Sequence, residues 1–135
     1  MNGLWLKTGK GMTMTTTESA ENYLESILVL STRKPVVRSI DVVNYTGFRK
    51  SSICIAMKNL NAEGLITIEP EGYIRLTEEG MKIASMIYER HQVLSEWLIH
   101  LGVDEKIAVE DACRIEHDIS VESFAAIKKY IGENP

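Results

Sequence analysis

Ser39-Ile-Asp-Val-Val-Asn-Tyr-Thr-Gly-Phe-Arg-Lys-Ser-Ser-Ile-Cys-Ile-Ala-Met-Lys-Asn-Leu60 is the stretch on which the fold turns. Its first part, Ser39 to Thr46, reads as a short helix, and Gly47 supplies the turn residue that ends it. The tight Tyr45-Thr-Gly-Phe48 turn leads into a second helix, expected from Ser51 to Glu63. Its apolar positions Ile53, Ala56, Met57 and Leu60 recur at helical spacing and face inward. Gly64 closes that helix. Then comes Leu65-Ile-Thr-Ile-Glu-Pro-Glu-Gly-Tyr-Ile-Arg-Leu76, two short alternating apolar runs around a Pro/Gly turn, which predicts a hairpin. Two short helices about a tight turn, with a hairpin behind them, have the order of a winged helix-turn-helix.

Working outward, Thr17-Glu-Ser-Ala offers a hydroxyl cap and early acids. Tyr23, Leu24, Ile27, Leu28 and Leu30 then form one helical face, and Pro35 stops the helix. Residues 1–16, rich in Gly and Thr, read as a flexible leader, with Met12 and Met14 as alternative starts. Downstream, Thr77-Glu-Glu caps a long helix expected to reach Leu101 before Gly102. Asp104 to Ile119 and Val121 to about Ile131, capped by Ser120, complete the pattern. The expected fold is mainly α. A winged helix-turn-helix over residues 17–77 precedes a helical domain over residues 78–135. Ile87, Val93, Leu94, Trp97, Leu98 and Leu101 give the long helix more apolar surface than one small wing can cover, which predicts a homodimer.

The charge is uneven. Net charge is −4 over 135 residues, yet residues 31–60 carry Arg33, Lys34, Arg38, Arg49, Lys50 and Lys58 against Asp41 alone. Residues 78–135 hold six Lys/Arg and twelve Asp/Glu. Local charge decides whether a polyanion can dock, so one segment can face nucleic acid while the rest repels it. Arg49, Lys50, Ser51 and Ser52 fall on the first turn of the expected recognition helix. There cations, hydroxyls and free N–H groups can meet phosphates and base edges. Ile55 and Lys58 follow on the same side, where Ile55 would suit a thymine methyl if exposed and the core if buried. Arg38 is a phosphate-clamp candidate at the start of the preceding helix. The acidic wing tip Glu69-Pro-Glu71 is expected to add little.

Composition narrows the class further. Apolar residues make up 44% and charged residues 25%, which is ordinary for a globular chain. The two cysteines, Cys54 and Cys113, are too few for a disulfide framework, so a reduced cytoplasmic protein is expected. No apolar run approaches a membrane span, so no membrane partner is expected.

Cys113, Glu116 and His117 sit at i, i+3 and i+4, on one helical face. A thiolate, a carboxylate and an imidazole there can hold a transition metal. The bland alternative is a buried cysteine beside a solvated Glu–His pair. His91 lies mid-way along the long helix, and Glu25 lies on the first.

Taken together, Glu21-Asn-Tyr-Leu-Glu25-Ser-Ile, the Arg90-His91 pair, Leu101-Gly-Val-Asp104 and Asp111-Ala-Cys-Arg-Ile-Glu-His117 resemble the diphtheria toxin repressor family of iron- and manganese-dependent transcriptional regulators, over residues 17–131. The resemblance implies a winged-helix domain followed by a helical domain that dimerises and holds metal. Metal would link the first helix to the second domain and switch on binding to a palindromic double-stranded DNA operator. It implies Glu25, His91, Cys113, Glu116 and His117 as the ligand pool, with Asn22, whose amide oxygen coordinates weakly, beside them. Cys113 is similar to the iron-type branch and Glu25 to the manganese-type branch. Ser95 and Val109 stand where the iron-type branch has ancillary ligands, so one metal per chain is expected. The third domain of longer members is absent from this sequence. Fe(II) or Mn(II) is implied as the metal, while the thiolate favours Fe(II), Co(II), Ni(II) or Zn(II) in vitro. Two other readings stay open. One is a regulator of the same fold that has lost metal control, motivated by Asn22, Ser95 and Val109. The other is a metal-dependent hydrolase, for which the sequence offers no nucleophile constellation or phosphate loop. A regulator rather than an enzyme is expected.

Overall fold

A computed structural model of the chain describes residues 18–134, so the expected leader and the Thr17 cap lie outside the described residues. The order is α1 (Glu18–Arg33), α2 (Ser39–Thr46), α3 (Lys50–Ala62), β1 (Ile66–Ile68), β2 (Ile74–Leu76), α4 (Glu78–His100), α5 (Glu105–Asp118) and α6 (Val121–Glu133). Every helix expected from the sequence is present; α2 keeps its expected bounds, and no other end shifts by more than two residues. Such shifts arise where capping geometry rather than apolar period sets the boundary. Arg49, not Lys50, is the extended residue before α3, and Glu63 takes the capping position at its end. The chain divides into two compact units at Met86 and Ile87, inside α4.

The first unit, Ser19–Met86, is built round Leu24, Ile27 and Leu30 of α1, Val42 of α2, and Ile53, Met57 and Leu60 of α3. Leu65, Ile66 and Ile74 of the hairpin region and Ala84 of α4 close the same core. Burying that many branched side chains is what holds such short helices in place, since helices of this length are marginal alone. Gly47 sits at φ 77°, and its N–H donates to the Val43 carbonyl. That left-handed turn is what glycine permits between α2 and α3. Tyr23 meets Phe48 edge-to-face with centroids 6.0 Å apart, tying α1 to this turn.

The wing is an antiparallel pair with Ile66 opposite Leu76, Thr67 opposite Arg75 and Ile68 opposite Ile74. Ile74 also donates its N–H to the Val37 carbonyl at 2.7 Å, so the segment before α2 extends the hairpin. Gly80, in the first turn of α4, is required by packing. A Cβ there would lie 1.9 Å from the Leu65 carbonyl oxygen.

In the second unit, from Ile87 onward, Leu94, Ala112 and Phe124 are buried, with Val93, Trp97, Ile119 and Ile127 packed against them. Asp104 and Ser120 cap α5 and α6 by accepting from Lys106 N–H and Ser123 N–H. This unit corrects the expected dimer face. Ile87 and Leu94 are consumed by burial within the chain, whereas Leu101 keeps 60% of its surface exposed. Helical period alone cannot separate an intramolecular apolar face from an intermolecular one. Among the described residues no helix is long and apolar enough to cross a membrane.

Candidate metal centre and nucleic-acid interface

The cluster is built on two helices of the second unit. His91 comes from the middle of α4, and Cys113 and Glu116 come from the last two turns of α5, where His117 follows beside Glu116 and outside the three-residue group. One ligand atom from each of His91, Cys113 and Glu116 lies within 4.8 Å of the other two. His91 Nδ1 is 2.9 Å from Glu116 Oε1 and 3.8 Å from Cys113 Sγ. His117 Nε2 is 3.5 Å from Glu116 Oε2. The Cys113 thiol, with the Glu116 carboxylate beside it, pushes the His91 pKa up to about 10, against a desolvation that works the other way.

Burial is the reverse of the bland alternative. Glu116 and His117 are buried, and Cys113 is exposed. A carboxylate with no solvent contact is costly unless charge or hydrogen bonds compensate it. Oε1 faces His91, but Oε2 accepts no hydrogen bond among the described residues. A fully buried carboxylate oxygen of this kind, beside a reachable thiol and imidazole, fits a divalent transition ion with mixed N/O/S donors.

Asn22 and Glu25 lie three apart on α1 in the other unit, and both are partly buried. The ancillary positions do not offer donors. Ser95 turns its hydroxyl back to the His91 carbonyl at 2.7 Å, and Val109 is aliphatic. The back-bonded hydroxyl also holds the helix turn that carries His91.

The predicted nucleic-acid residues gather in the first unit. Arg49, Lys50, Ser51 and Ser52 are exposed around the start of α3, and Lys58 is exposed further along. Ile55 is 62% exposed, which decides between its two readings in favour of the surface. The first-turn N–H groups of α3 have no intrahelical acceptor and carry the positive end of the helix dipole. Arg38, the residue before α2, lies on the wing side. Its guanidinium stacks 4.7 Å from the Tyr73 ring centroid and donates to the Tyr73 hydroxyl at 3.2 Å. Its backbone N–H donates to Asp41, whose carboxyl is held below the usual range chiefly by the Lys34 hydrogen bond. At the wing tip Glu69 pairs with Arg75, so its charge is directed at the wing itself. Sequence reading missed Tyr73, which nothing in the pattern distinguishes from a strand aromatic, and gave Arg90 no role. Arg90 is buried and donates to two carbonyls of the α5–α6 junction.

A winged helix-turn-helix with a basic, exposed recognition helix, followed by a helical unit with a mixed-donor cluster, defines a DNA-binding regulator with a metal-ligating domain. Residues 77–134 match the family described as the iron dependent repressor, metal binding and dimerisation domain. The chain is 31% identical over 116 residues to the uncharacterized HTH-type transcriptional regulator MJ0568 of Methanocaldococcus jannaschii, covering 84% of this chain and 93% of that one. It is 33% identical over 113 residues to the transcriptional regulator MntR of Escherichia coli O6:H1, covering 84% and 73%. The structure of the manganese regulator SloR superposes with a TM-score of 0.75 at 24% identity, over 88% of this chain and 55% of that one. This chain therefore belongs to the diphtheria toxin repressor/MntR family of metal-dependent transcriptional regulators.

Proposed function

We propose that the chain is an operator-binding repressor that acts by binding, not catalysis, and works as a homodimer switched by a single divalent transition metal per chain. The observation that carries this reading is the His91–Cys113–Glu116 cluster, with the Oε2 of a fully buried glutamate left without a hydrogen bond. His91, Cys113, Glu116 and His117 are the ligands of the helical domain, residues 78–135. Glu25, with Asn22 as a weak donor, is the contribution of the reading domain, residues 17–77. When bound, the ion supplies the positive charge that the buried carboxylate and the thiolate call for.

The chain's own residues do the rest. His91 gives up a proton, and Ser95 and Arg90 hold the backbone of the ligand-bearing turns. A ligand switches a protein only by its affinity difference between two states. Arg38, Arg49, Lys50, Ser51, Ser52, Ile55 and Lys58 form the surface offered to the operator. Two-fold symmetry of the dimer predicts a palindromic site. The solved relative SloR is named a manganese regulator. Cys113 softens the present site relative to an all-carboxylate one, which favours Fe(II), with Co(II), Ni(II) and Zn(II) as in vitro substitutes.

The test is selection of bound duplexes from a random-sequence DNA pool, run with Fe(II), Mn(II), Co(II) or Zn(II) and with chelator. Enrichment of an inverted repeat only when metal is present is the expected result. Equal enrichment with chelator would support a regulator that has lost metal control.

A further inference from the structure

Arg90 precedes the ligand His91 on α4, and its side chain is buried. Its Nη1 donates to the Glu116 carbonyl at 3.0 Å and to the Ile119 carbonyl at 3.0 Å. The Glu116 carbonyl is among the last four of α5, which have no intrahelical donor, and Ile119 is the extended residue that follows the helix. The guanidinium carbon also lies 5.7 Å from the Phe124 ring centroid on α6. One planar group thus closes the end of α5, touches α6 and issues from α4. Consecutive residues of α4 grip the same residue of α5: His91 holds the Glu116 carboxylate, and Arg90 holds the Glu116 backbone.

We infer that Arg90 is a positioning residue for the metal centre, setting the affinity of a site it does not ligate. The inference rests on the metal reading above and deepens it. The two carbonyl bonds from Nη1 and the Phe124 ring hold the buried guanidinium in one place. Fixing the Glu116 carbonyl fixes the backbone from which the carboxylate is projected toward His91. Without that bond the last turn of α5 is free to fray, and the distance between Glu116 and His91 is no longer set in advance. Lys is only a partial substitute, since an ammonium lacks the planar face that the guanidinium lays against the Phe124 ring.

The experiment is a Co(II) titration of the full chain against a competing fluorescent chelator, for wild type, Arg90→Met, Arg90→Lys, His91→Ala and Lys128→Met. Denaturation of each metal-free protein is followed in parallel. Arg90→Met is expected to weaken Co(II) binding by about 10–100-fold, the usual effect of losing an outer-shell partner. Arg90→Lys should fall between it and wild type, with the thiolate-to-Co(II) absorption displaced. Lys128→Met removes the exposed pair between Glu89 on α4 and Lys128 on α6 and should leave Co(II) affinity unchanged. If Arg90→Met fails to fold, Arg90→Lys decides alone. Folded Arg90 variants with wild-type Co(II) affinity would overturn the inference. So would an equal loss in Lys128→Met, which would trace the effect to helix docking in general. A wild-type protein that binds Co(II) no better than His91→Ala would instead overturn the metal reading itself.

Discussion

His91 and Glu116, 25 positions apart, meet at 2.9 Å between Nδ1 and Oε1, and the glutamate has no exposed surface. This contact joins the middle of α4 to the end of α5 and brings the Cys113 thiol within 3.8 Å of the same imidazole nitrogen. The imidazole nitrogen is shared between the thiol and the carboxylate, and both contacts favour its protonated form.

That sharing makes stability depend on pH. The folded-state pKa of His91, pushed up to about 10 by the Cys113 thiol and then by Glu116, lies above its ordinary value of 6.5. The native state therefore holds the proton more tightly than the unfolded chain. The resulting stabilisation is complete below pH 6.5 and is lost as pH rises through about 10. Thermal melting of chelator-treated protein should show a falling Tm across that window, and His91→Gln should flatten the fall. A wild-type Tm that is level over the same range would contradict it. Metal binding at neutral pH should release this proton, seen as a buffer-dependent heat.

One ion per chain is expected. Ser95 spends its hydroxyl on the His91 carbonyl, and Val109 has no donor atom. Calorimetry should saturate at one Mn(II) or Co(II) per chain. Asn22→Asp should tighten Mn(II) binding by adding a charged oxygen, and His117→Ala should abolish metal-stimulated DNA binding. Two tight sites, or a His117→Ala protein still switched by metal, would contradict this assignment.

Replacing Arg49 and Lys50 by Ala should weaken operator binding without unfolding the chain, because both side chains are exposed. Each lost phosphate contact makes the slope of log affinity against log salt shallower by about 0.9, so the double variant should lose about 2 units. An unchanged slope would move the recognition surface elsewhere.

The dimer is expected to use the exposed apolar side chains at the far end of α4 and on α6. Leu101 and Tyr130 are exposed there and line one groove with the half-buried Val93, Trp97 and Ile131. Leu101→Asp should shift sedimentation from dimer to monomer at micromolar concentration while the metal-free protein keeps its helical signal. A monomeric wild type would contradict the homodimer.

The winged helix was readable in sequence because its signals are local. Gly47 needs a positive φ, the Ile53–Met57–Leu60 spacing marks one face, and Pro70 and Gly72 mark the wing turn. The i, i+3, i+4 spacing of Cys113, Glu116 and His117 likewise places them on one face of α5 before any tertiary contact is known. What period cannot give is the partner across the interface. Nothing in the sequence says that Arg38 stacks on Tyr73, 35 positions away, or that Arg90 reaches the end of α5. Nor does it say that Leu94 is spent inside the chain while Leu101 is not. Those outcomes depend on how helices dock, and docking is set by packing among residues distant in sequence.

The most direct test of metal-switched operator binding through Cys113 and its neighbours follows two signals in one Co(II) titration of the full chain with a labelled operator duplex. One is the thiolate-to-Co(II) charge-transfer absorption, and the other is the anisotropy of the DNA. The two should rise together and saturate at one Co(II) per chain, and Cys113→Ser should remove the absorption and shift the DNA transition to higher Co(II). Full DNA binding before any thiolate absorption appears, or an anisotropy indifferent to Co(II), would contradict it.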